Sequence, residues 1–327
     1  MSDVEAIMNY IGEHWRSNHI MSRDVELFLY EFKEQDTINM ILAIDEETNE
    51  IVGIHGFMKS ALNSTLFDVW GSFWHIRDDV RAPMLGAMLI RNLKKFTPYR
   101  NRLEIGINKK TTEKIYKSFF KDSVSLMDHF YLLNEEYKDD FKIAKIVDFA
   151  HGQYCENSLD VSFGKISNTS DVDFTYINND IEQVPYKNSE YLIKRYFKHP
   201  HYKYCIYKLE GKQSMALLIG REVEVSNRKV FRVIDYVGDR TLLSYSGSFL
   251  ANLVRDFKYE YIDLYSFGFE SNILKSAGFV QRTSDDLNVI PNYFSPYIQE
   301  NIDIYVSYKN KNALFFKGDG DQDRPNT

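Results

Sequence analysis

Apolar positions along the chain follow two different periods, and the change between them is clearest between residues 67 and 96. Residues 67–76 are aromatic and β-branched and lie between polar turn residues, which predicts a strand. From residue 82 to 96 apolar residues recur every three or four positions, which predicts a helix with one apolar face formed by Leu85, Met88, Leu89, Leu93 and Phe96. A strand, a short polar turn and an amphipathic helix are therefore expected here.

The start of this predicted helix favours an anion site. Pro83 suits the first turn, where its missing N–H would have no partner inside the helix. The first backbone N–H groups and the positive end of the helix dipole then face the end of the preceding strand. Gly86 and Ala87 are small enough to let a phosphate approach the backbone. Arg81 precedes them and is either a phosphate ligand or a solvated loop arginine.

The same order of patterns occurs twice along the chain. The first half is predicted to contain a helix at 25–32, strands at 38–44, 51–58 and 67–76, a helix at 82–96 and a strand at 102–107. The second half is predicted to contain a helix at 191–197, strands at 204–209, 214–220 and 231–237, a helix at 244–258 and a strand at 261–266. This order predicts an α+β fold with mixed, mostly antiparallel sheets flanked by helices.

The polar stretch 157–179 is rich in Ser, Asn and Asp and is interpreted as the connection between the halves. We therefore predict two domains, residues 1–160 and 161–327. The length of 327 residues agrees with about two domains of ~150 residues each.

Composition narrows the possible functions. The net charge of −7 argues against a general binder of nucleic acid or of anionic membranes. The two cysteines, Cys155 and Cys205, suggest no disulfide framework and fit a reducing compartment. No stretch approaches the ~18 apolar residues of a membrane span, and the acidic N-terminus lacks a signal-peptide pattern. We expect a cytoplasmic protein.

The order of elements and the helix start after the central strand resemble the GNAT superfamily of acyl-CoA-dependent N-acyltransferases. The pyrophosphate loop of that superfamily, Arg/Gln-x-x-Gly-x-Gly/Ala, corresponds here to Arg81, Met84 and Gly86, with methionine in place of the first glycine. Its Asn-x(7)-Tyr arrangement corresponds to Asn108 and Tyr116. The resemblance implies two tandem GNAT-like domains, acyltransferase activity and acetyl-CoA or another acyl-CoA as co-substrate.

The resemblance also implies roles for individual residues. It places acyl-CoA against the end of the central strand, the loop and the following turn, at Trp74, His75, Ile76, Arg81, Met84, Leu85, Gly86, Ala87 and Asn108. Tyr116 would protonate the leaving thiolate, although its periodicity alone indicates a core tyrosine. The second half ends its repeat with Ala277-Gly278-Phe279 but has no phosphate loop, which implies that it has lost CoA binding.

Two histidines are candidates for the general base. His75 lies at the end of the central strand and His55 on the neighbouring strand. An imidazole titrates near neutral pH and can accept a proton from the acceptor amine. The alternative for each, and the one that a histidine within a strand favours, is a packed or hydrogen-bonded side chain.

The resemblance extends to the acceptor. The run 316–326 and the segments 186–192 and 290–294 are similar to tandem GNAT-like proteins found with bacterial surface-polysaccharide biosynthesis. This implies transfer to the amine of a nucleotide-linked amino sugar, with acetyl as the default acyl group and a homodimer as a further possibility. The alternatives are an amino acid or peptide amine as acceptor, and a catalytically inactive binding module, which Met84 favours.

The acidic C-terminal run has two interpretations. It is either a flexible tail or a segment folded back over the acceptor site, where its carboxylates would hold an ammonium or sugar hydroxyls. A metal site is not expected. Residues 319–323 imitate the start of a calcium loop, but Arg324 stands where the loop glycine is required. His199 and His201 are too closely spaced and have no partner cluster.

Overall fold

The computed structural model describes residues 3–150, 152–154, 160–177 and 180–325. Its α-helices are α1 (Asp3–Tyr10), α2 (Val25–Phe32), α3 (Leu85–Phe96), α4 (Glu113–Ile115), α5 (Phe174–Ile177), α6 (Ser189–Leu192), α7 (Gly247–Asp256) and α8 (Ser271–Ser276). Wider π-helical turns extend α1, α4 and α6 over Ile11–Trp15, Tyr116–Phe120 and Ile193–Phe197. Short 3-10 helices span Ile20–Ser22, Glu135–Tyr137, Thr169–Asp171 and Arg240–Tyr245. In this part of the chain, no helix is long and apolar enough to cross a membrane.

Strands make up most of the remaining regular structure. Those before the middle of the chain are β1 (Lys33–Glu34), β2 (Thr37–Ile38), β3 (Met40–Ile44), β4 (Ile51–Lys59), β5 (Val69–Ile76), β6 (Arg102–Ile105), β7 (Ser123–Leu126) and β8 (Asp128–Leu133). Those after it are β9 (Ser162–Ile166), β10 (Cys205–Glu210), β11 (Met215–Val225), β12 (Arg228–Gly238), β13 (Tyr259–Phe267), β14 (Val280–Gln281), β15 (Tyr293–Phe294), β16 (Tyr297–Ile298), β17 (Tyr305–Tyr308) and β18 (Phe315–Phe316).

Two large sheets organise the molecule. The first sheet has the order β3-β4-β5-β6-β17-β7, and the second has the order β9-β10-β11-β12-β13-β8-β14, with β18 also paired to β13. Neighbouring strands are antiparallel except for β5 with β6 and β12 with β13, which are parallel. These two parallel pairs are each joined through a helix, α3 or α7. The predicted α+β fold with two repeated mixed sheets is confirmed.

The two halves exchange one strand each. β8 precedes residue 160 but pairs with β13 of the second sheet, for example Leu132 with Ile262. β17 follows residue 160 but lies between β6 and β7 of the first sheet, where Val306 pairs with Ile105. Residue 160 therefore does not separate the residues of the two sheets, and the domain limits stay a prediction. A strand's apolar pattern shows which face is buried but not which sheet the strand joins.

The connecting stretch is partly a strand. Residues 162–166 form β9, which pairs antiparallel with β10 at the edge of the second sheet. The stretch 157–179, interpreted as the connection between the halves, therefore contains an edge strand of the second sheet. Residues 157–159 and 178–179 lie outside the described part of the chain.

Helix α3 is shorter than predicted, and its buried face is narrower. It begins at Leu85, and Pro83 lies in the turn before it. Met88 and Phe96, expected on the apolar face, are 51 % and 66 % exposed. The helix packs on β3, β4 and β5, and this contact buries Ala87, Leu89, Ile90 and Leu93.

Polar contacts join the segment before α6 to the first half. The carboxylate of Asp68 is buried between the guanidinium of Arg100, at 2.7 Å, and the backbone N–H of Tyr186, at 2.8 Å. The side-chain amide of Asn188 donates to Leu62 O at 2.8 Å, and its oxygen accepts from Leu62 N at 3.1 Å. Because one apolar core cluster also draws on both sheets, the halves pack as one body.

Candidate active site

The strands β5 and β6 diverge soon after they pair. Val69 pairs with Arg102 and Trp70 with Leu103, and the parallel register ends there. β5 continues to Ile76, so its second part has no β6 neighbour along its edge. Backbone N–H and C=O groups at such an edge need other partners, and a bound ligand is one source of them.

Helix α3 begins close to this divergence. Its N-cap is Met84, with φ of 67° and ψ of 4°, and no side chain caps its first turn. This left-handed conformation favours glycine, and Met84 adopts it while carrying a side chain that is 52 % exposed. The N–H groups of the first turn, at Gly86 and Ala87, point away from the helix and form the positive end of its dipole.

Arg81 lies in the loop before the helix and is exposed. Its guanidinium donates to Asp78 O at 3.3 Å. This single contact with a carbonyl leaves the guanidinium free of any carboxylate within 4 Å among the described residues. An anion at the start of α3 would be its natural partner.

Trp74 spans the space between β5 and the turn after α4. Its indole N–H donates to Gly86 O at 3.0 Å, and its ring centroid lies 5.9 Å from that of Tyr116. A Cβ at Gly86 would lie 3.0 Å from Trp74 Nε1. A larger residue at Gly86 would therefore press on the indole of Trp74. The next inward side chain, Ile76, packs over Gly53.

Of the two candidate bases, only His75 is partly accessible. Its Nδ1 lies 2.9 Å from the hydroxyl of Tyr10, and burial lowers its pKa. His55 is fully buried, with Nδ1 3.2 Å from Phe73 O. Burial, reinforced by the positive charge of Arg102, lowers the pKa of His55 to about 3. Both imidazoles are therefore neutral at pH 7, but substrate cannot reach His55 in this packing.

Tyr116 faces a buried cluster of charges. Its side chain is only 3 % exposed, and burial and the neighbouring Glu104 raise its pKa well above the usual value. Arg102 lies 5.3 Å from the ring centroid and donates to Glu104 at 2.6 Å and to Asp122. Tyr116 thus stays a protonated phenol, the form that a proton donor needs.

Glu104 was not identified from the sequence. Burial raises the pKa of its carboxyl, although Arg102 opposes this effect. It lies directly opposite Gly71 across the divergence, where a Cβ would come 2.0 Å from Glu104 Oε2. The sequence signal that could have identified Glu104 is a glycine on β5 opposite an acidic residue on β6. This signal can be recognised only when the pairing of the two strands is known.

Asn108 has a local structural role. Its side-chain oxygen accepts from the backbone N–H of Lys110 at 2.9 Å and of Thr111 at 3.2 Å. These bonds form the turn that leads into α4. Its own side chain is exposed, so its contribution to acyl-CoA binding stays a prediction.

The C-terminal segment fills the corresponding divergence in the second sheet. β12 and β13 stay parallel as far as Val233 and Leu264. Beyond them, β18 pairs antiparallel with β13, and Gly318 N donates to Ile234 O on β12 at 2.7 Å. The chain's own backbone therefore occupies the place between these strands.

The same segment then crosses to the first sheet. Asp321 accepts a hydrogen bond from the hydroxyl of Ser72 on β5 at 2.9 Å. The side-chain amide of Gln322 donates to Ile105 O on β6 at 3.5 Å. Arg324 also binds the Ser72 hydroxyl, at 2.9 Å. As far as residue 325, the tail is therefore folded back against the molecule, and that it covers an acceptor site stays a prediction.

Buried ion pairs hold the tail in place. Arg324 makes a two-pronged contact with the carboxylate of Glu31 on α2. Asp323 accepts from Arg221 on β11 at 2.8 Å. Asp319 lies 2.7 Å from the ammonium of Lys187. All of these tail side chains are buried.

A cavity of about 400 Å³ lies where the tail, the first half and the second half meet. Trp15 and His19 border it from the first half, and Tyr202 and Arg221 from the second. Asp321, whose carboxylate contacts β5, belongs to the tail wall. The cavity is therefore linked to β5 through Asp321, although no residue of β5 or β6 is among those that line it.

The histidines that the sequence analysis weighed as metal ligands have other partners. His199 Nδ1 accepts from the backbone N–H of His201 and of Tyr202, and His201 Nε2 lies 2.7 Å from Asp24 Oδ2. Within the described ranges, no three His, Cys, Asp or Glu side chains are grouped as metal ligands.

No protein-family model matches the sequence, and no curated protein matches it. Among solved structures, it is similar to a GCN5-related N-acetyltransferase from Anabaena variabilis ATCC 29413, with a TM-score of 0.51, 9 % identity, and coverage of 91 % of this chain and 69 % of that one. Saccharomyces cerevisiae N-myristoyltransferase with bound myristoyl-CoA is matched with a TM-score of 0.41 and 10 % identity, over 84 % of this chain and 69 % of that one. The likeness to the Anabaena protein shows that this chain has the GNAT fold.

Proposed function

We propose that this protein is an acyl-CoA-dependent N-acyltransferase. The observation that carries the proposal is the divergence of β5 from β6 next to the uncapped start of α3. Diverging strands offer backbone groups to a pantetheine arm, and the helix start offers N–H groups to a diphosphate. The GNAT fold, which this chain shares with a protein named as an N-acetyltransferase, supports the same conclusion.

In this proposal acyl-CoA binds along β5 and the start of α3. Arg81 and the N–H groups of Gly86 and Ala87 would bind its diphosphate. The pantetheine arm would pass the side chain of Trp74, which must turn away from Tyr116 to admit it. Leu85, Met84, Ile76 and Asn108 stay predicted contacts of the cofactor.

The reaction is attack of a neutral amine on the thioester carbonyl. The new C–N bond forms, the C–S bond breaks, and one proton leaves the amine while one reaches the thiolate. We propose His75 as the base, because it is the more accessible of the two histidines and is neutral at pH 7. Tyr116 would give its proton to the thiolate. Its raised pKa keeps it protonated but makes it a weaker acid than a free tyrosine, so this role rests on the resemblance and on its position beside Trp74.

The acceptor proposed from the resemblance is a nucleotide-linked amino sugar used in surface-polysaccharide synthesis. The cavity beside the tail supports this choice, because it combines flat aromatic faces, cationic groups and a carboxylate. Tyr202 and Tyr293 suit a base or sugar ring, Arg221 suits phosphate, and Asp321 suits the ammonium. A cytoplasmic location, where acyl-CoA is supplied, belongs to the proposal, and a homodimer stays a prediction.

One observation favours a second function, a GNAT-like binding module without catalysis. Trp74 and Glu104 both occupy the divergence of β5 and β6, and Met84 stands at the left-handed position of the loop. If these side chains do not move, acyl-CoA has no place between the strands.

Calorimetric and thermal-shift titration with acetyl-CoA and free CoA separates the two functions. We expect saturable binding with a concentration-dependent rise in Tm. Arg81→Ala should raise the Kd at least ~10-fold, about 1.4 kcal/mol. Arg91→Ala is the matched control, because Arg91 is an exposed arginine further along the same helix. Absence of binding at millimolar acetyl-CoA would instead support the binding module.

The acceptor is tested separately from acyl-CoA binding. We expect acetyl transfer to a nucleoside-diphosphate amino sugar. The transfer is measured by the free thiol that it releases. Free amino acids and peptide amines form the comparison arm. Faster transfer to a peptide amine would keep the enzyme class and reject the sugar acceptor.

A further inference from the structure

Lys317 is a buried cation without a counterion. Its side chain is 5 % exposed and lines the cavity beside the tail. Its ammonium donates to Gln322 O at 3.3 Å, and no carboxylate lies within 4 Å of it in the described part of the chain. A buried charge is costly unless a charged partner or several hydrogen bonds compensate it.

The neighbouring arginines differ, because each already has a carboxylate. Arg232 binds Asp263 through two parallel hydrogen bonds of 2.9 and 2.6 Å and donates to Asn292 O at 2.7 Å and to Asn292 Oδ1 at 3.0 Å. Arg221 donates through Nε to Asp323 at 2.8 Å. Lys317 is therefore the group whose charge the cavity leaves uncompensated.

Arg221 nevertheless retains donors for a ligand. Among the described residues, only its Nε has a hydrogen-bond partner, so its two terminal nitrogens have none. Its guanidinium carbon lies 4.4 Å from the ring centroid of Tyr202, which fixes the plane of the group at the cavity wall. Lys317 and Arg221 thus offer several N–H donors to one small volume.

The electrostatics of Lys317 favour an anionic ligand. Burial, together with the positive charges of Arg232 and Arg221, lowers the pKa of its ammonium to about 7, against the opposing effect of Asp323 and Asp263. An anion bound beside it would stabilise the charged form and raise this pKa. The cavity without a ligand holds the group near the point of losing its proton.

We propose that this cavity contains a phosphate-binding site formed by Lys317 and the terminal nitrogens of Arg221, and that it receives the phosphate groups of the acceptor. The site deepens the proposed function and rests on it for the identity of the bound molecule as acceptor. It is separate from the start of α3, where the proposal places the diphosphate of acyl-CoA. The acceptor class that fits is a phosphorylated or nucleotide-linked amine.

The test uses inorganic pyrophosphate as probe, titrated by calorimetry into the full-length protein without acyl-CoA. The titration is run in the Arg81→Ala variant, so that binding at the start of α3 is weakened, and every further substitution is compared within that background. We expect Lys317→Met to raise the Kd at least 10-fold. Lys229→Met is the matched control, because Lys229 lies on β12 at the surface of the same sheet, and it should leave the Kd unchanged.

Several outcomes would overturn the site. They are equal pyrophosphate affinity with and without Lys317, absence of binding at millimolar concentration, and acetate binding as tightly as pyrophosphate. The last of these would indicate a general anion pocket and not a phosphate site. Comparison of a nucleoside diphosphate with pyrophosphate then shows whether the base adds affinity.

A second measurement keeps the test valid if Lys317→Met fails to fold. The pKa of Lys317 in the otherwise unaltered protein is followed by NMR of lysine side chains, with and without pyrophosphate. We expect the ligand to raise this pKa, and an unchanged pKa overturns the site.

The charged groups that face Lys317 are Arg221, Arg232, Asp263 and Asp323, and all are paired. If the protein binds pyrophosphate but not acetyl-CoA, the proposed acyltransferase function is rejected and the anion site is kept.

Discussion

The ammonium of Lys187 lies 2.7 Å from the carboxylate of Asp319, on the buried side of the C-terminal tail. The same ammonium lies 2.6 Å from Asp235 on β12, which also accepts a hydrogen bond from the hydroxyl of Tyr196 at 2.6 Å. Burial raises the pKa of Asp319, and Lys187 opposes that rise. One buried cation therefore joins the tail to the second sheet.

Removing this cation should destabilise the protein strongly. Lys187→Met would leave two buried carboxylates without their partner, which costs about 3–5 kcal/mol when a buried pair is broken. Urea denaturation should show this as a lower free energy of unfolding. Lys198→Met, at an exposed lysine nearby in sequence, should change it little. Equal stability of the two variants would contradict the role of Lys187.

The pH dependence of stability should report on Asp263. Burial alone would raise its pKa, but Arg232 and hydrogen bonds from His129 and Arg232 lower it to about 2. A carboxyl whose folded pKa is depressed stabilises the protein above its unfolded pKa and loses that contribution as pH falls. Between about pH 4 and pH 2 the protein should therefore lose about 2 kcal/mol from this group.

Denaturant titrations at a series of acidic pH values measure this loss. Asp263→Asn should be less stable than the original protein at pH 6, and the difference should shrink as the pH approaches 2. A constant difference across the range would show that Asp263 does not bind its proton in this window.

Tyr116→Phe should slow acyl transfer without weakening acyl-CoA binding. The phenol would give its proton to the leaving thiolate, and general acid catalysis contributes roughly 10²–10⁴-fold. Turnover at saturating acetyl-CoA, measured as thiol release, should fall by at least ~10-fold, with the calorimetric Kd unchanged. Tyr137→Phe, a surface tyrosine whose hydroxyl donates to Lys258 O, serves as control. Unaffected turnover would show that Tyr116 is a core residue without a role in proton transfer.

Asp321→Asn should impair use of the acceptor more than binding of acyl-CoA. The carboxylate accepts from Ser72 on β5 and from Arg324, and it lines the cavity. Loss of its charge should raise the KM for the amine acceptor about 10-fold, because an ammonium loses its counterion. The Kd for acetyl-CoA should stay the same. A matched fall in acetyl-CoA affinity would indicate a general structural effect.

Deletion of residues 318–327 should destabilise the rest of the protein. Arg221, Lys187 and Glu31 would each keep a buried charge without the partner that the tail supplies. We expect a large fall in Tm and loss of acceptor use. An unchanged melting curve would mean that these ion pairs contribute nothing to stability.

Local patterns predicted the elements, because apolar periodicity is a property of neighbouring residues. The helix at 82–96 and the strand at 67–76 are both present, with ends shifted by two or three residues. The pattern was wrong about Met88 and Phe96, since a narrow contact with the sheet leaves them exposed. Periodicity does not measure how wide that contact is.

The sequence did not predict which side chains come together from distant parts of the chain. A glutamate within a strand is usually read as facing solvent, and Glu104 is buried only because β5 diverges from β6 and leaves room opposite Gly71. Similarly, His55 and His75 have the same residue type and similar surroundings in sequence. His55 is fully buried with Nδ1 against Phe73 O, whereas His75 meets the hydroxyl of Tyr10 and stays partly exposed, and the local pattern does not specify these partners.

The pairing of Val306 with Ile105 has a consequence for biosynthesis. On the ribosome, the first sheet cannot be completed until every strand from β9 to β14 of the second sheet has been made. β6 must therefore wait with an unpaired edge while the rest of the chain emerges, and such an edge is prone to wrong partners. We expect slow folding dominated by distant contacts. Two halves expressed as separate polypeptides would each lack an interior strand next to the edge of its sheet.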